Sequence, residues 1–145
     1  MKEAKIPIPV DVKRKDHGET PLILASRYGK TKAVRQLLEL GAQVNVCGKY
    51  NVTPLHSAAC KGKLEIVKLL VQKKANVFAK TKYDDEEPDE TPLDLARMRR
   101  TGLPAASSVT EEMRQYDAII QLLEHQQKVE EAVEYVVDDR FPSID

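Results

Sequence analysis

Apolar residues recur along this chain in two kinds of short segment that alternate with each other. In the first kind, aliphatic and small residues follow a Thr-Pro pair, as in Thr53-Pro54-Leu55. In the second kind, apolar residues recur at the spacing of Ile66, Val67 and Leu70, which is the period of an amphipathic helix. Because Thr at the N-cap and Pro at the first helical position both favour a helix start, this pattern predicts pairs of short helices.

The helix pair is repeated along the chain. Thr-Pro-Leu occurs three times, at residues 20–22, 53–55 and 91–93. The first spacing is 33 residues and the second is 38, because five extra residues lie in the acidic stretch around Tyr83–Glu90. Gly29 and Gly62 each lie nine residues after a Thr, where a glycine at positive φ would end the first helix. A repeat of this length predicts a solenoid of stacked helix pairs.

The pattern resembles the ankyrin repeat, a unit of roughly 33 residues with a T-P-L-H-x-A signature. Residues 53–58 match that signature in full, and residues 41–45 (Gly-Ala-Gln-Val-Asn) resemble the family's G-A-D-V-N closing. The resemblance covers residues 16–127. It implies an all-α solenoid in which helix-turn-helix units stack side by side and are joined by β-hairpin-like loops.

On this pattern the chain divides into five parts. They are an extended N-terminal segment at 1–15, repeats at about 16–48, 49–81 and 87–127, and an extension of the last helix with a tail at 128–145. The third repeat is irregular, because about fifteen residues are inserted between its two helices. Ser108-x-x-Glu111 predicts a capping box at the start of the second of these helices. The last helix is expected to be long and to cover the open end of the stack.

Four positions depart from the ankyrin pattern or replace its glycines. Ile23 and Asp94 stand where the family has the signature His. Lys74 stands where a Gly ends the second helix, and a non-glycine residue costs about 1 kcal/mol there if φ is positive. Asn51 stands where Gly18 stands in the preceding loop, and Asn tolerates a positive φ better than most residues.

Composition and charge exclude several classes of protein. Apolar residues make up 41% and charged residues 32% of the 145 residues, which is typical of one globular domain. The 23 basic and 23 acidic residues cancel, so we predict no nucleic-acid partner and no membrane partner. The N-terminal segment lacks an apolar signal core, and no apolar stretch is long enough for a membrane helix. The two Cys predict reduced thiols and a cytoplasmic or nuclear location.

No combination of residues predicts catalysis or metal binding. His56 and Cys60 share one helix face, but a zinc site needs four ligands, or three and a water, and no further ligand has a suitable spacing. The acidic residues 84–90 lack the Gly and the alternating carboxylates of a calcium loop. They predict a solvated loop tip or, as the alternative, a contact for a basic partner. We therefore predict no enzyme activity, no cofactor and no metal.

The resemblance implies a concave binding surface for another protein or peptide, built from the loop tips and the exposed face of each first helix. The family's exposed positions lie four, three and one residues before each Thr, and seven and eight after it. In this chain they are Asp16, His17, Glu19, Arg27 and Tyr28, then Lys49, Tyr50, Val52, Cys60 and Lys61, then Glu87, Pro88, Glu90, Met98 and Arg99. We predict that Arg27, Tyr28, Tyr50, Met98 and Arg99 carry most of the affinity, because such residue types are enriched where interfaces bind tightly. The nine predicted partner-binding residues are these five together with Lys49, Val52, Cys60 and Lys61.

The predicted function is a non-catalytic, monomeric interaction module that serves as an adaptor or scaffold. The alternative is a regulatory or oligomerising subunit of a larger assembly that acts through the C-terminal helix, through which the chain could also dimerise. That helix has the apolar spacing of a short coiled-coil seam, at Ile119, Leu122, Gln126, Val129, Val133 and Val136.

Charge is unevenly distributed along the chain, since the second repeat is basic whereas the chain from Glu111 onward has ten acidic and three basic residues. A basic surface beside an acidic one would steer a charged partner.

Overall fold

The computed structural model describes residues 10–103 and 109–137. In these two ranges the chain forms six α-helices and one 3₁₀ turn, at Lys49–Asn51. The helices are α1 (Pro21–Arg27), α2 (Thr31–Glu39), α3 (Pro54–Cys60), α4 (Leu64–Gln72), α5 (Pro92–Thr101) and α6 (Glu111–Val137). The described residues contain no β-strand, and the prediction of an all-α fold is confirmed. None of the described helices is both long enough and apolar enough to cross a membrane.

The first helix of each pair begins as the sequence predicts. The hydroxyls of Thr20, Thr53 and Thr91 each accept a hydrogen bond from the backbone N–H three residues later, at 3.4, 3.3 and 3.2 Å. A Pro follows each Thr at the first helical position, where its missing N–H leaves no donor unsatisfied. After α1 and α3, Gly29 and Gly62 adopt φ of 71° and 69° and turn the chain into the second helix.

The helices form two layers. In one layer α1, α3 and α5 lie side by side, and in the other α4 lies between α2 and α6. Ala25, Ala58 and Ala96 are buried where the first helices meet, and their small side chains allow the helix axes to approach closely. Between the layers lies an aliphatic core that includes Leu22, Val34, Leu55, Ile66, Val67, Leu70, Leu93, Ile119 and Leu123. Each pair therefore buries its apolar face only by packing on its neighbour.

The third helix pair carries the predicted insertion between α5 and α6. Helix α6 begins at Glu111, and the hydroxyl of Thr110 accepts from the backbone N–H of Met113 at 3.2 Å. Ser108, from which a capping box is predicted, lies outside the described residues. Two ion pairs tie α5 to α6. They join Arg97 to Glu124 at 2.5 Å and Arg100 to Asp117 at 2.8 Å.

The two ends of the chain are described only in part. Residues 1–9 and 138–145 lie outside the described residues, so most of the predicted N-terminal segment and the tail do as well. Val10 and Asp11 form a turn, and the Asp11 carboxylate accepts from the backbone N–H of Gln43 at 3.2 Å. The first helix pair is therefore held to the residues that precede it by a contact between loops.

Lys74 ends α4 in the left-handed conformation, with φ of 68°. The equivalent residue after α2 is Gly41, with φ of 91°. We expect Lys74→Gly to raise the free energy of unfolding by about 0.5–1 kcal/mol, because glycine adopts positive φ without the clash of a Cβ. Urea denaturation measures this change.

The neighbouring residue provides a matched control for this substitution. Lys73 has φ of −90°, so Lys73→Gly should lower the free energy of unfolding through backbone entropy alone. An equal loss in both variants would show that the left-handed backbone at Lys74 carries no strain.

Candidate functional site

The loops that precede α1, α3 and α5 lie side by side and form what we term the loop row, with tips at residues 14–19, 48–52 and 81–90. Each loop closes on itself through a backbone hydrogen bond of 2.9–3.0 Å, at Arg14–Glu19, Gly48–Val52 and Thr81–Glu90. Neighbouring loops are also linked, since Lys49 N–H donates to the His17 carbonyl and Lys82 N–H to the Tyr50 carbonyl, at 2.9 and 2.8 Å. The loop row is therefore a hydrogen-bonded edge with fixed spacing.

His56 holds the second and third loops together from beneath. Its Nδ1 lies 3.1 Å from the Thr53 backbone nitrogen, which donates to it, and its Nε2 lies 2.9 Å from the Glu90 carbonyl oxygen. This arrangement requires the neutral ring with its proton on Nε2. Burial lowers the pKa of His56 below its ordinary value of 6.5, although the Glu90 carbonyl opposes that change. Ile23 and Asp94 replace this His in the other two units, and only Asp94 reproduces the bond back to its Thr, at 3.0 Å.

A groove runs along the angle between the loop row and the layer of first helices. It consists of two clefts of about 270 and 130 Å³. Ile23 of α1 and Tyr50 line the first cleft, whereas Ser57 of α3 and Leu95 of α5 line the second. Arg27 and Val52 line both clefts, which makes the groove continuous across the stack.

The structure brings six of the nine predicted partner-binding residues into this groove. These six are Arg27, Lys49, Tyr50, Val52, Cys60 and Lys61. Met98 and Arg99 instead line a third cavity of about 420 Å³, together with Tyr116 of α6. Tyr28 is 65% exposed and lines none of the three cavities.

One position counted as exposed is buried. Glu19 is only 8% exposed, because its carboxylate forms an ion pair with Arg27 at the floor of the first cleft. Because the two side chains neutralise each other, Arg27 brings no unpaired positive charge to the groove. Its planar guanidinium and its methylene groups give the groove a flat contact surface. The fixed offset from Thr20 locates Glu19 in the first loop correctly, but it does not show that the Glu19 carboxylate pairs with Arg27.

Tyr50 is held in a strained backbone conformation. Its φ is 61°, and the next residue, Asn51, has φ of 59°. Positive φ is exceptional for a bulky residue such as Tyr and persists only where surrounding contacts hold it. The Tyr50 ring lies 5.2 Å from the Tyr83 ring between centroids, and the Lys49 Nζ lies 4.8 Å from the Tyr50 centroid.

Tyr83 is a groove residue that the sequence prediction missed. It lines the second cleft, and its ring makes a tilted contact with the ring of Tyr50. The prediction counted backwards from Thr91, across the five inserted residues, and so selected Glu87 and Pro88 instead. Counting one repeat of 33 residues forwards from Tyr50 gives Tyr83, and this signal would have found it. Burial raises the pKa of Tyr83, and the negative charge of Glu90 adds to the rise, so the phenol stays protonated near neutral pH.

The groove is lined by aromatic rings, by ammonium groups and by small polar side chains. The hydroxyl of Ser57 is buried and has no hydrogen-bond partner among the described residues. The one His in the second cleft, His56, uses both ring nitrogens to hold the loops. No three His, Cys, Asp or Glu side chains in the described ranges converge in a way that would hold a metal ion.

Comparison with known proteins identifies the family. The family model for ankyrin repeats (three copies) matches residues 4–81, more than half of the chain. The chain belongs to the ankyrin repeat family. The matched region ends before α5, so the third helix pair is identified from the structure and from its Thr-Pro-Leu. Ankyrin repeats generally mediate protein–protein interaction and are typically non-catalytic.

Several relatives share this region. Human ankyrin repeat and SOCS box protein 11 is 36% identical over 95 residues, which cover 62% of this chain and 29% of that protein. Human neurogenic locus notch homolog protein 4 is 41% identical over 80 residues, 54% of this chain and 4% of that protein. A probable E3 ubiquitin-protein ligase of Oryza sativa subsp. japonica, XBOS34, is 46% identical over 83 residues, 55% and 15% of the two chains. The chain thus spans less than a third of each of these relatives.

The role of His56 predicts a pH-dependent stability. Because its pKa is lowered in the folded state, the unfolded chain binds more protons below about pH 6.5, and stability falls as the pH drops through that value. We expect the free energy of unfolding to decrease from pH 7.5 to 5.5 by at most about 1.4 kcal/mol per pH unit on account of this ring. His56→Gln should be less stable than the wild type at pH 7.5 and should show a shallower slope, measured by urea denaturation at each pH.

A second histidine serves as the control for that measurement. His125 lies at an exposed position of α6, and His125→Gln should keep the wild-type slope. If His56→Gln also kept the full slope, the pH dependence would have to arise from other groups.

Proposed function

We propose that this chain is a non-catalytic adaptor module that holds an extended segment of another protein in the groove between the loop row and the first helices. The partner's segment lies across the three first helices, with side chains entering the two clefts. We also propose that the chain works in the cytoplasm or the nucleus, where its two free cysteines, Cys47 and Cys60, would remain reduced.

The observation that carries this proposal is the continuity of the groove around a fixed aromatic pair. The two clefts share Arg27 and Val52, and the ring of Tyr50 in the first cleft contacts the ring of Tyr83 in the second at an interplanar angle of 44°. Rigid aromatic side chains give a large contact area at a low entropic cost, since they are already ordered before the partner arrives. The strained φ of Tyr50 supports a role for this ring in binding, because strain of this kind concentrates at functional sites.

The size of the clefts favours side chains of a protein over a free small molecule. Both volumes, about 270 and 130 Å³, lie below the roughly 300–1,000 Å³ of typical small-molecule pockets. Each is large enough for one apolar side chain. A segment that places successive side chains in both clefts would gain affinity from two shallow sites that are weak one by one.

A substitution in the aromatic pair tests this proposal. We expect Tyr50→Ala to weaken binding of the partner by about 2 kcal/mol, or roughly 30-fold, because it removes one ring and leaves Tyr83 unsupported. Proteins captured on the immobilised chain and identified by mass spectrometry provide the partner. Its affinity for each variant is then measured by titration calorimetry.

An aromatic residue outside the groove provides the control. Phe78 has the same fractional exposure as Tyr83, 38%, and lines neither cleft. Phe78→Ala should therefore bind as the wild type does. A partner that tolerates Tyr50→Ala and is lost with Phe78→Ala would place the binding surface elsewhere on the stack.

A second candidate function is self-association through α6. Val129 and Val133 are 40% and 56% exposed on the part of this helix that extends past the stack. The seam is short, and Gln126 within it already bonds to Glu130 at 3.0 Å, so we rank this function second. If it operates, the intact chain sediments as a dimer, and Val129→Glu/Val133→Glu converts the dimer to a monomer. Sedimentation as a monomer at every accessible concentration would remove this candidate.

A further inference from the structure

The groove carries positive charges that no carboxylate of the described residues neutralises. Lys49 lines the first cleft and Lys61 the second, and neither has an acidic group within 4 Å in the described ranges. Glu19 is the one acidic side chain among the described residues that line either cleft, and Arg27 already pairs with it. The interior of the groove is therefore net basic although the whole chain has no net charge.

Arg99 adds a third cation at the edge of the groove. Its side chain lines the neighbouring third cavity with Glu112 and Tyr116, and its Nε donates to the carbonyl of Cys60, a residue that lines the second cleft, at 3.3 Å. The hydroxyl of Tyr116 donates to the same carbonyl at 2.7 Å. No carboxylate of the described residues lies within 4 Å of the Arg99 guanidinium, which can make a planar, two-point contact with a carboxylate of a partner.

From these charges we infer that the partner segment is acidic, with carboxylates that pair with Lys49, Lys61 and Arg99 and an apolar or aromatic side chain that enters the second cleft between Val52 and Tyr83. This inference rests on the proposed function and names the chemistry of its partner.

The geometry of the stack also sets the spacing of the carboxylates. Lys61 and Arg99 occupy equivalent positions, eight residues after Thr53 and Thr91, on helices that pack directly against each other. Packed helices lie about 8–10 Å apart, and an extended segment in the polyproline II conformation advances about 3.1 Å per residue with three residues per turn. Two acidic residues three positions apart on such a segment lie on one face at about that distance and therefore match the two cations.

The acidic loop at residues 84–90 restricts the path that an acidic segment can take across the groove. Asp84 stabilises the loop by accepting from the backbone N–H groups of Glu86 and Glu87, at 3.0 and 2.9 Å. None of the described carboxylates in this loop reaches Lys49, Lys61 or Arg99 within 4 Å, so the loop does not cover the cations. It repels an acidic segment from the third loop tip and favours the path along the helix ends.

A nucleic acid fits these observations less well than a protein segment does. The chain has equal numbers of basic and acidic residues and lacks the extended basic face of a nucleic-acid-binding domain. The Lys49 ammonium lies over the Tyr50 ring and the Tyr83 ring contacts it, so a base that stacked on Tyr50 would have to displace one of them. The acidic loop would also lie against any phosphate backbone that continued past the second cleft.

A display library of random peptides tests this inference with the whole chain as bait. Peptides of roughly twelve residues are long enough, at about 3.3 Å per residue, to cross the three first helices. We expect the selected peptides to be enriched in Asp and Glu, with two acidic residues about three positions apart and one apolar residue nearby. Lys61→Glu/Arg99→Glu should weaken the best of them at least 100-fold, and rising salt should weaken wild-type binding.

Matched variants separate charge from folding. Lys68 is half exposed on α4, away from both clefts, and Lys68→Glu should leave peptide affinity unchanged. Thermal melts followed by circular dichroism check that each variant is folded. If the double reversal does not fold, Lys61→Gln/Arg99→Gln replaces it, with an expected loss of about tenfold, because neutral side chains remove the attraction without adding repulsion.

The outcomes distinguish this inference from the function on which it rests. If the selected peptides lose affinity for Tyr50→Ala but are not enriched in Asp and Glu, the inference of an acidic partner is wrong, whereas the proposed binding groove stands. If no peptide distinguishes Tyr50→Ala from Phe78→Ala, the proposed function fails as well. If polyuridylate displaces the acidic peptides at an equal concentration of negative charge, the groove is a general anion site and the assignment to a protein partner is wrong.

Discussion

The structure depends on one constraint, which is that no single helix pair of this chain can bury its own apolar face. The central pair shows this most clearly, because every residue of α3 from Pro54 to Ala59 is buried between α1, α4 and α5. Ala58 and Ala59 leave room for the neighbouring helices at that position. The outer pairs are therefore part of the support of the centre, and the groove at the ends of α3 is rigid because both neighbours are in place.

Much of the fold could be predicted from the sequence, because the signals that determine it are local. Thr-Pro fixes each first helix at its start, and Gly29 and Gly62 at positive φ end α1 and α3. These signals also identified Lys74 as a residue that adopts the glycine conformation. The start of α6 could not be predicted in the same way, since the chain offers a Ser and a Thr two residues apart as caps. In the structure the Thr110 hydroxyl accepts from the Met113 N–H. Ser and Thr are both favoured as caps, so the sequence alone does not decide between them.

The candidate site could be predicted only as far as the repeat keeps its register. Fixed offsets from each Thr place Lys49, Tyr50 and Lys61 in the groove, because the backbone repeats there. The offsets miss Tyr83, because five inserted residues separate it from Thr91, the residue from which the third repeat is counted. They also give Glu19 as exposed, because they do not show that it pairs with Arg27. The backbone position of a residue follows from periodicity, whereas its exposure follows from the side chains beside it.

The strained backbone of Tyr50 and the unpaired cations of the groove are both held in place by the central helix pair and its neighbours. Holding Tyr50 at positive φ costs roughly 1–3 kcal/mol, and the links from Tyr50 and His56 to the third loop offset that cost. A partner then meets rings and cations that are already in place, so little ordering opposes its binding. Unneutralised cations inside such a groove act mainly on selectivity, because a segment without carboxylates would leave them desolvated and unpaired. The net charge of the chain gives no sign of this selectivity, since the acidic residues that balance the groove lie in α6 and in the loop at 84–90.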